Sequence, residues 1–219
     1  MDNVHYLTQP EALLLLAPGC PHCPSVMESL CALVKEGIVG RLEIINIAAQ
    51  PEQAQAMGAK TVPWMRIGLF EFEGLMSLGE LRRWALLGAG AQGAKTYFLE
   101  MLKSGRRDKV ESMIRNDPRQ AAFMVALLVD ADASMAVRLG IGAVLEEFNG
   151  TGLTDSMIPG LGELALHGDR LTRADTCHFL SLIGGAAVVP YLRQCLNDED
   201  SEVRDIAQEA LGNGVDKSP

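Results

Sequence analysis

The sequence predicts two structural classes in one chain: an α/β sandwich at the N-terminal end, followed by an all-α solenoid of helical hairpins. Two observations predict this division. Apolar segments typical of strands alternate with helical patterns as far as residue 87, and no convincing strand pattern occurs after residue 95. Beyond that point, similar helical phrases recur at spacings of 31 to 35 residues, a period typical of stacked helix pairs.

The first half of the α/β region predicts a strand, a helix and a second strand. The apolar run 11–17 ends at Pro18 and Gly19, which is typical of a buried strand. Apolar residues at helical spacing over roughly 21–36 predict the helix, and residues 41–47 predict the second strand. Because a helical crossover in one sheet joins parallel strands, we expect these two strands to be parallel.

The second half predicts a short helix, a hairpin and a final capped helix. A proline opens the short helix at residues 51–57. Residues 63–67 and 69–73 predict two short strands that meet at a glycine and should be antiparallel. Ser77 with Glu80 three residues later predicts a capping box at the start of the final helix.

A glycine-rich segment, Gly88–Gly93, predicts a linker, so we expect one domain at 1–88 and a repeat domain at 94–214. The last repeat is the clearest, because residues 188–212 read as a helix, an acidic turn and a second helix. An ordinary helical bundle is the alternative. The recurring phrases are Ile158-Pro159 and Val189-Pro190 at first helices, Val137-Arg138, Thr172-Arg173 and Val203-Arg204 at second helices, and Gly150, Gly184 and Gly212 at the ends of second helices.

Charge and hydropathy bear on partners and location. The net charge is −9, with nine acidic and six basic residues in 1–88 and nineteen and thirteen in 89–219. Both halves therefore repel phosphate, and we expect no nucleic-acid partner.

No run of 18 apolar residues occurs, so we expect no membrane span. The first residues lack the basic region of a secretory signal, so we expect a cytoplasmic protein. A basic cluster is interpreted as a solvated helix face: Arg106, Arg107, Lys109, Arg115 and Arg119.

Cys20-Pro21-His22-Cys23 lies where the first predicted strand gives way to a helix. Disulfide exchange needs a thiolate, and a free cysteine with a pKa of about 8.5 is mostly protonated at neutral pH. Unpaired N–H groups and the helix dipole favour a thiolate at Cys20. The spacing of three places Cys23 one turn along, within reach of the Cys20 sulfur. Pro21 suits the first helical position, and His22 adds a switchable positive charge.

Two alternatives to exchange chemistry stay open at this point. Cys20 and Cys23 are candidate metal ligands together with Cys31 or His22, although tetrahedral zinc needs four ligands and a second Cys-x-x-Cys or a histidine pair is missing. The dithiol is also compatible with a vestigial site in a binding module. We expect no metal and no cofactor.

Residues 11–87 resemble the thioredoxin superfamily in its small, glutaredoxin-like form. The resemblance rests on Cys20-Pro21-His22-Cys23, which is similar to the tetrapeptide of bacterial disulfide oxidases, and on Thr61-Val62-Pro63 before the third strand. It implies a thioredoxin-like fold in the order strand, helix, strand, helix, strand, strand, helix. It also implies a redox-active Cys20–Cys23 disulfide with a very acidic first cysteine. A cis bond before Pro63 and substrate contacts from the Val62 backbone follow from it as well.

Several residues depart from the pattern of that family. Leu14 stands where thioredoxins hold a buried aspartate, and Gly19 replaces the tryptophan that usually precedes the first cysteine. Residues 73–77 read EGLMS where the glutathione signature Gly-Gly-x-Asp is expected, so the use of glutathione is left open. Trp64 follows the proline in place of a small residue, and we interpret it as a hydrophobic wall for the substrate.

Residues 118–214 resemble HEAT repeats, which completes the expected architecture: a thioredoxin-like fold followed by a HEAT-like solenoid. Together the resemblances imply a thiol-disulfide oxidoreductase that acts on protein clients, is served by a thiol reductant, and uses its repeats as a scaffold. The alternative is a redox-sensing or purely scaffolding module without turnover. Cys31, Cys177 and Cys195 are interpreted as buried structural thiols, with a Cys177–Cys195 redox pair as a weaker alternative.

Overall fold

The computed structural model describes residues 9–88, 90–130 and 134–212. Contacts between Cα atoms divide the chain into two compact units, Met1–Gly93 and Ala94–Pro219. The first unit contains every strand of the described residues, and the second is helical wherever it has regular structure. This distribution agrees with the predicted change of structural class along the chain.

The N-terminal unit is built on a four-stranded mixed sheet. Its strands are β1 (Glu11–Leu16), β2 (Arg41–Asn46), β3 (Trp64–Ile67) and β4 (Phe70–Glu73), in the spatial order β2-β1-β3-β4. The pair β1 and β2 is parallel, whereas β3 is antiparallel to both β1 and β4. The predicted parallel unit and the predicted hairpin are therefore confirmed.

Three helices accompany this sheet: α1 (Cys23–Lys35), α2 (Pro51–Ala56) and α3 (Leu78–Leu87). One apolar cluster contains Leu13, Leu15 and Trp64 from neighbouring strands and packs against Ala54 of α2. Because successive side chains on a strand alternate between faces, Leu14 belongs to the opposite face of the sheet. Helices α1 and α3 pack against each other, and α1 also contacts β1 and β2.

The final helix of this unit begins as the sequence predicts. The Ser77 side chain accepts the N–H of Glu80, and the Glu80 carboxylate accepts the N–H of Ser77 at 2.8 Å. This reciprocal capping box satisfies two backbone donors that a helix start otherwise leaves without partners. Further along α3, Trp84 is buried, with its ring centroid 5.2 Å from those of Phe70 and Phe72.

The predicted linker is shorter than expected. Helix α4 (Ala91–Lys103) begins inside Gly88–Gly93, so the last three residues of that segment are helical, and Ala89 lies outside the described residues. A Cβ atom added at Gly93 would lie 3.1 Å from the ring of Phe70, which belongs to the same compact unit. The absence of a side chain at Gly93 therefore allows close packing inside α4 rather than freedom at a connection.

The C-terminal unit continues with a succession of short helices. They are α5 (Arg107–Asn116), α6 (Val125–Leu128), α7 (Met135–Glu147), α8 (Ile158–His167), α9 (Arg170–Ile183), α10 (Val189–Cys195) and α11 (Ser201–Gly212), with 3-10 turns at Pro118–Met124 and Asp155–Met157. Helices α8 and α9 form one packed pair and α10 and α11 another, while α9 contacts both α7 and α11. This is the predicted stacking of helical hairpins.

The recurring dipeptides mark the helices they were expected to mark. Ile158 and Val189 are the first residues of α8 and α10, and Gly184 caps α9 with a φ of 72°. The expectation is less accurate for the earliest repeat, because α7 ends at Glu147, before Gly150. The period is therefore clearest near the C-terminal end, where the sequence pattern is also clearest.

An arginine occupies an equivalent position near the start of three second helices. Arg138, Arg173 and Arg204 each donate to a carbonyl at the end of the preceding helix or in the turn after it, at 2.9, 3.1 and 2.7 Å. The acceptors are the carbonyls of Leu128, Gly168 and Asp198. Carbonyls at the end of a helix lack intrahelical partners, and the guanidinium groups supply them.

Two of these arginines also bind an aspartate of the following repeat. Arg138 pairs with Asp175, and Arg173 holds both carboxylate oxygens of Asp198 at 2.8 and 3.1 Å. The side chains of Arg173 and Asp198 are only 12% and 10% exposed, so little water screens this pair. The arginines thus fasten each repeat internally and to its neighbour.

Candidate functional site

The two cysteines of the predicted site lie at the junction between β1 and α1. Cys20 is half-buried in the connection after β1, whereas Cys23 is the first residue of α1 and only 3% exposed. The structure joins them as a disulfide with their Cα atoms 5.5 Å apart. Of the two sulfur-bearing residues, Cys20 is therefore the one more open to a group from solution.

The start of α1 directs a backbone donor at Cys20. The N–H of Cys23 donates to the Cys20 sulfur at 3.2 Å. This N–H belongs to the first turn, where a helix has no internal acceptors, so a nearby sulfur is a natural partner. The positive end of the helix dipole lies at the same place and favours negative charge on that sulfur in the reduced state. The expected thiolate at Cys20 stays a prediction.

The helix begins later than the sequence predicts, which corrects the position of Pro21. Pro21 and His22 form an exposed bend before α1, and His22 is the N-cap residue whose carbonyl accepts the N–H of Val26 at 3.3 Å. Pro24, rather than Pro21, lies in the first turn. Both prolines fit the rule for helix starts, so the local pattern did not distinguish them.

The segment before β3 lies next to the disulfide. The Cys20 sulfur is 3.7 Å from the carbonyl oxygen of Val62, and the Val62–Pro63 peptide bond is cis, as the resemblance implied. Val62 is half-buried and Pro63 is buried. Sequence reasoning missed Gly74, whose N–H donates to the Pro63 carbonyl at 2.8 Å and fixes this segment to the residue after β4. A glycine directly after a strand was the available signal.

Trp64 does not have the predicted position at the surface. Its side chain is fully buried in the cluster with Leu13, Leu15 and Ile45, and it packs against residues around α2. The expected hydrophobic wall for substrate is therefore wrong for this side chain, which contributes to the core instead. The physical reason is strand alternation, since Trp64 lies opposite Leu15 and shares its face of the sheet.

The other cysteines divide into one partly exposed thiol and two buried ones. Cys31 is half-buried, which corrects the expectation of a buried thiol, because the buried stripe of α1 passes through Leu30 rather than Cys31. Cys177 and Cys195 are free and buried, as predicted. A hydrogen bond between these two raises the pKa of the Cys177 thiol well above its ordinary range, with burial adding to the effect, and the same hydrogen bond lowers that of Cys195.

No metal-binding cluster accompanies the disulfide. Within the described residues, histidine, cysteine, aspartate and glutamate side chains form no group of three or more that is able to hold a metal ion. Likewise, no helix of the described segments is long and apolar enough to cross a membrane.

The fold and site thus define a small β/α unit with a dithiol at a helix start, followed by helical repeats. Residues 121–212 match the family model of HEAT repeats, inside the range that the sequence predicted. The N-terminal sheet and helices fit a thioredoxin-like layout. No curated protein matches the chain. HEAT repeats support a protein-interaction scaffold as the role of the C-terminal unit.

Proposed function

We propose that the chain is a thioredoxin-like thiol-disulfide oxidoreductase that acts on protein clients and holds them with its HEAT repeats. The observation that carries the proposal is the environment of the Cys20–Cys23 pair. The more open sulfur accepts a helix N–H at 3.2 Å and lies 3.7 Å from the Val62 carbonyl, in the bend at residues 61–63 that leads into β3. A client chain alongside this segment would bring its own sulfur to Cys20.

The exchange proceeds in two balanced steps when the reduced protein meets a client disulfide. The Cys20 thiolate attacks one client sulfur, forming a mixed disulfide and releasing the second client sulfur as a thiolate. Cys23 then attacks the Cys20 sulfur, which re-forms the Cys20–Cys23 disulfide and frees the first client sulfur. The client gains two electrons and two protons that the protein loses, and an external thiol reductant restores the dithiol. The same steps run in reverse when the client is a dithiol.

Electrostatics around Cys20 favour the thiolate on balance. The N–H contact to its sulfur is shorter than the contact to the Val62 carbonyl, and the helix dipole adds to the N–H. The Val62 oxygen accepts the S–H when Cys20 is a protonated thiol. Leu14 is fully buried in β1 and offers no proton acceptor, so the Cys23 proton passes to the departing client thiolate, directly or through solvent.

A mixed-disulfide trap tests this function. In the full chain, Cys23→Ser removes the second step and should leave clients covalently bound to Cys20, with release by excess dithiothreitol. Cys20→Ser in the Cys23→Ser background is the matched control and should trap nothing. If the single variant forms no adduct with model disulfide proteins while the folded state is intact, the proposed exchange is wrong.

Redox-gated binding without turnover is the second candidate. The segment that matches HEAT repeats, which would bind the partner, is separate from the unit that contains the two cysteines. In that case the disulfide state would control partner binding by the repeats, and each molecule would react only once. Repeated turnover of an external disulfide with a thiol reductant separates the two functions. Turnover supports the enzyme, whereas a single stoichiometric reaction supports the sensor.

The proposed division of labour assigns client choice to the repeats. A tethered second contact is intramolecular and raises avidity by about 10²–10⁴ for short linkers. Removing residues 89–219 should therefore reduce trapping of specific clients while exchange with a small disulfide persists. A fragment ending at residue 88 follows the predicted domain boundary. A second fragment ending at Gly93 retains the glycine that packs near Phe70, so the pair also tests that boundary.

A further inference from the structure

A groove separates α7 and α9 on the surface of the C-terminal unit, with a cavity volume of about 560 Å³. The two helices run in the same direction, because Arg138 pairs with Asp175 near their first turns and Asn149 contacts the Leu182 carbonyl after α7 and near the end of α9. A volume of this size is within the range of binding cavities, about 300–1,000 Å³.

Large apolar side chains surround one end of the groove. Met135, Leu139 and Leu171 are 68%, 67% and 54% exposed, and all three line it. Single exposed apolar residues are ordinary, but a group around one cavity is typical of an interaction site. Methionine suits such a site because its flexible side chain adapts to different partners.

The groove is open because small residues occupy its floor. Gly142 and Ala143 lie in the middle of α7 along the groove. A Cβ atom at Gly142 would already be 3.6 Å from the Phe179 ring, so a larger side chain there would occupy part of the cavity. The glycine therefore leaves room above Phe179, which is buried at the floor of the groove.

The charges at the groove are arranged unevenly. At the apolar end, Arg138 is neutralised by Asp175. At the other end Glu146 is exposed, close to the last carbonyls of α7, which carry partial negative charge. Among the described residues Glu146 has no ion-pair partner, and His178 is a further polar residue that lines the groove. The complementary ligand is apolar at one end and cationic at the other.

We propose that this groove binds an amphipathic segment of a partner protein, with large apolar side chains beside Met135, Leu139 and Leu171 and a lysine or arginine at Glu146. The inference rests on the proposed function in one respect: it specifies where on the repeats a client protein would bind. Binding in the groove involves no sulfur, so it can be tested separately from disulfide exchange.

Cysteine-free random peptides displayed on phage provide the probe, selected against the full chain. Enriched peptides should contain two or more large apolar residues near a lysine or arginine. Their synthetic forms, fluorescently labelled, should bind the full chain in anisotropy titrations. An absence of enrichment, or enrichment of acidic peptides, overturns the proposal.

Matched variants then locate the binding site. Glu146→Lys replaces an attraction by a repulsion and should weaken a selected peptide about tenfold, while the same change at exposed Glu163 on α8 should have little effect. Leu139→Ser should also weaken binding, whereas Leu86→Ser is a control of equal exposure on α3. A peptide whose cation is changed to glutamate should recover affinity for Glu146→Lys.

Equal weakening by the groove variants and their controls would overturn the proposal. So would a concentration-dependent dimer that Leu139→Ser dissociates, because a second copy of the chain would then cover the groove. Circular dichroism of each variant checks that the helices are retained. The exchange activity of the Cys20–Cys23 pair on a small disulfide should be the same in all four variants. If the protein shows no exchange activity at all, the peptide-binding result can still be interpreted on its own.

Discussion

The two units of this protein differ in how their important residues are distributed. In the N-terminal unit, the candidate chemistry is confined to one junction, where Cys20 contacts the start of α1 and the Val62 carbonyl. In the C-terminal unit, equivalent arginines recur along the chain and each binds a turn and, in two cases, a neighbouring repeat. The first unit is recognised by one short sequence motif, and the second by helical phrases that recur every 31 to 35 residues.

The two units also differ in how the residues proposed to serve function relate to the residues that stabilise the fold. Cys20, the residue proposed to react, is half-buried and contributes little to the apolar core around Trp64. In the repeats, the buried Arg173–Asp198 pair holds the helices together, while the exposed groove residues are free to serve recognition. Replacing Cys20 should therefore affect activity more than stability, and changes at the arginines should affect stability alone.

The largest expected effect is the loss of disulfide exchange in Cys20→Ser. A serine hydroxyl forms no disulfide, so turnover of insulin with a thiol reductant should fall to the uncatalysed rate. Cys31→Ser changes another half-buried cysteine, on the helix that follows the site, and as the matched control should keep activity near that of the unchanged protein. A comparable loss in both variants would show that the Cys20 site is not the reactive one.

A second expectation concerns protonation of the reduced site. Because a helix N–H contacts the Cys20 sulfur, its thiol should titrate with a pKa below the free value of about 8.5. Ultraviolet thiolate absorbance of Cys23→Ser against pH measures it. The spectrum of the Cys20→Ser, Cys23→Ser double variant is subtracted to remove the other cysteines. An unshifted titration would remove the proposed role of the helix start.

Asp198→Ala should destabilise only the repeats. Arg173, whose side chain is 12% exposed, would keep only the exposed Glu199 carboxylate at 3.0 Å, at a cost of about 2 kcal/mol, between the values typical of exposed and buried pairs. Both tryptophans, Trp64 and Trp84, belong to the N-terminal unit, so urea unfolding followed by their fluorescence should be unchanged while the circular dichroism transition shifts. Asp205→Ala, at an exposed site on α11, should leave both signals unchanged.

Acid should also act more strongly on the repeats. Burial alone would raise the pKa of Asp198, but hydrogen bonds from Arg173 and the Asp200 backbone outweigh it and lower the pKa; the Thr172 N–H lowers the pKa of Asp169. A carboxylate with a lowered pKa stabilises the fold at pH values above its unfolded pKa of about 3.9. This stabilisation is lost as the pH falls through the folded pKa.

In the N-terminal unit, hydrogen bonds from Ser77 lower the pKa of Glu80 in the same direction. Unfolding experiments from neutral pH downward should therefore show constant stability of the repeats at first and a decline below a pH of about 4. Tryptophan fluorescence should report a smaller decline for the sheet unit. A larger acid effect on the fluorescence than on the circular dichroism of the repeats would contradict this comparison.

The smallest effect is expected for Ser77→Ala. Loss of the capping box should lower the stability of the N-terminal unit by about 1 kcal/mol, since N-cap serines contribute about that amount. The fluorescence-detected transition should shift, and the remaining helical signal should not. Ser25→Ala changes an exposed serine inside α1 and is the control, because alanine is at least as favourable within a helix.

Local features of the fold were predictable from the sequence alone. The capping box at Ser77, the strands on either side of α1, and the helix starts at Ile158 and Val189 all depend on residues within a few positions of one another. Hydrogen bonds of helices, caps and turns close over such short separations, so residue spacing is enough to specify them. The Cys20-Pro21-His22-Cys23 motif marked the candidate site for the same reason.

Only the tertiary structure decided which distant residues meet. Cys20 and the Val62 carbonyl are separated by 42 positions, and Arg173 and Asp198 by 25. Trp64 became a core residue because its register opposite Leu15 placed it on a covered face, and the α7–α9 groove depends on Gly142, which has no side chain to fill the space beside Phe179. Such contacts depend on strand register and on how helices pack, and no local spacing encodes either of them.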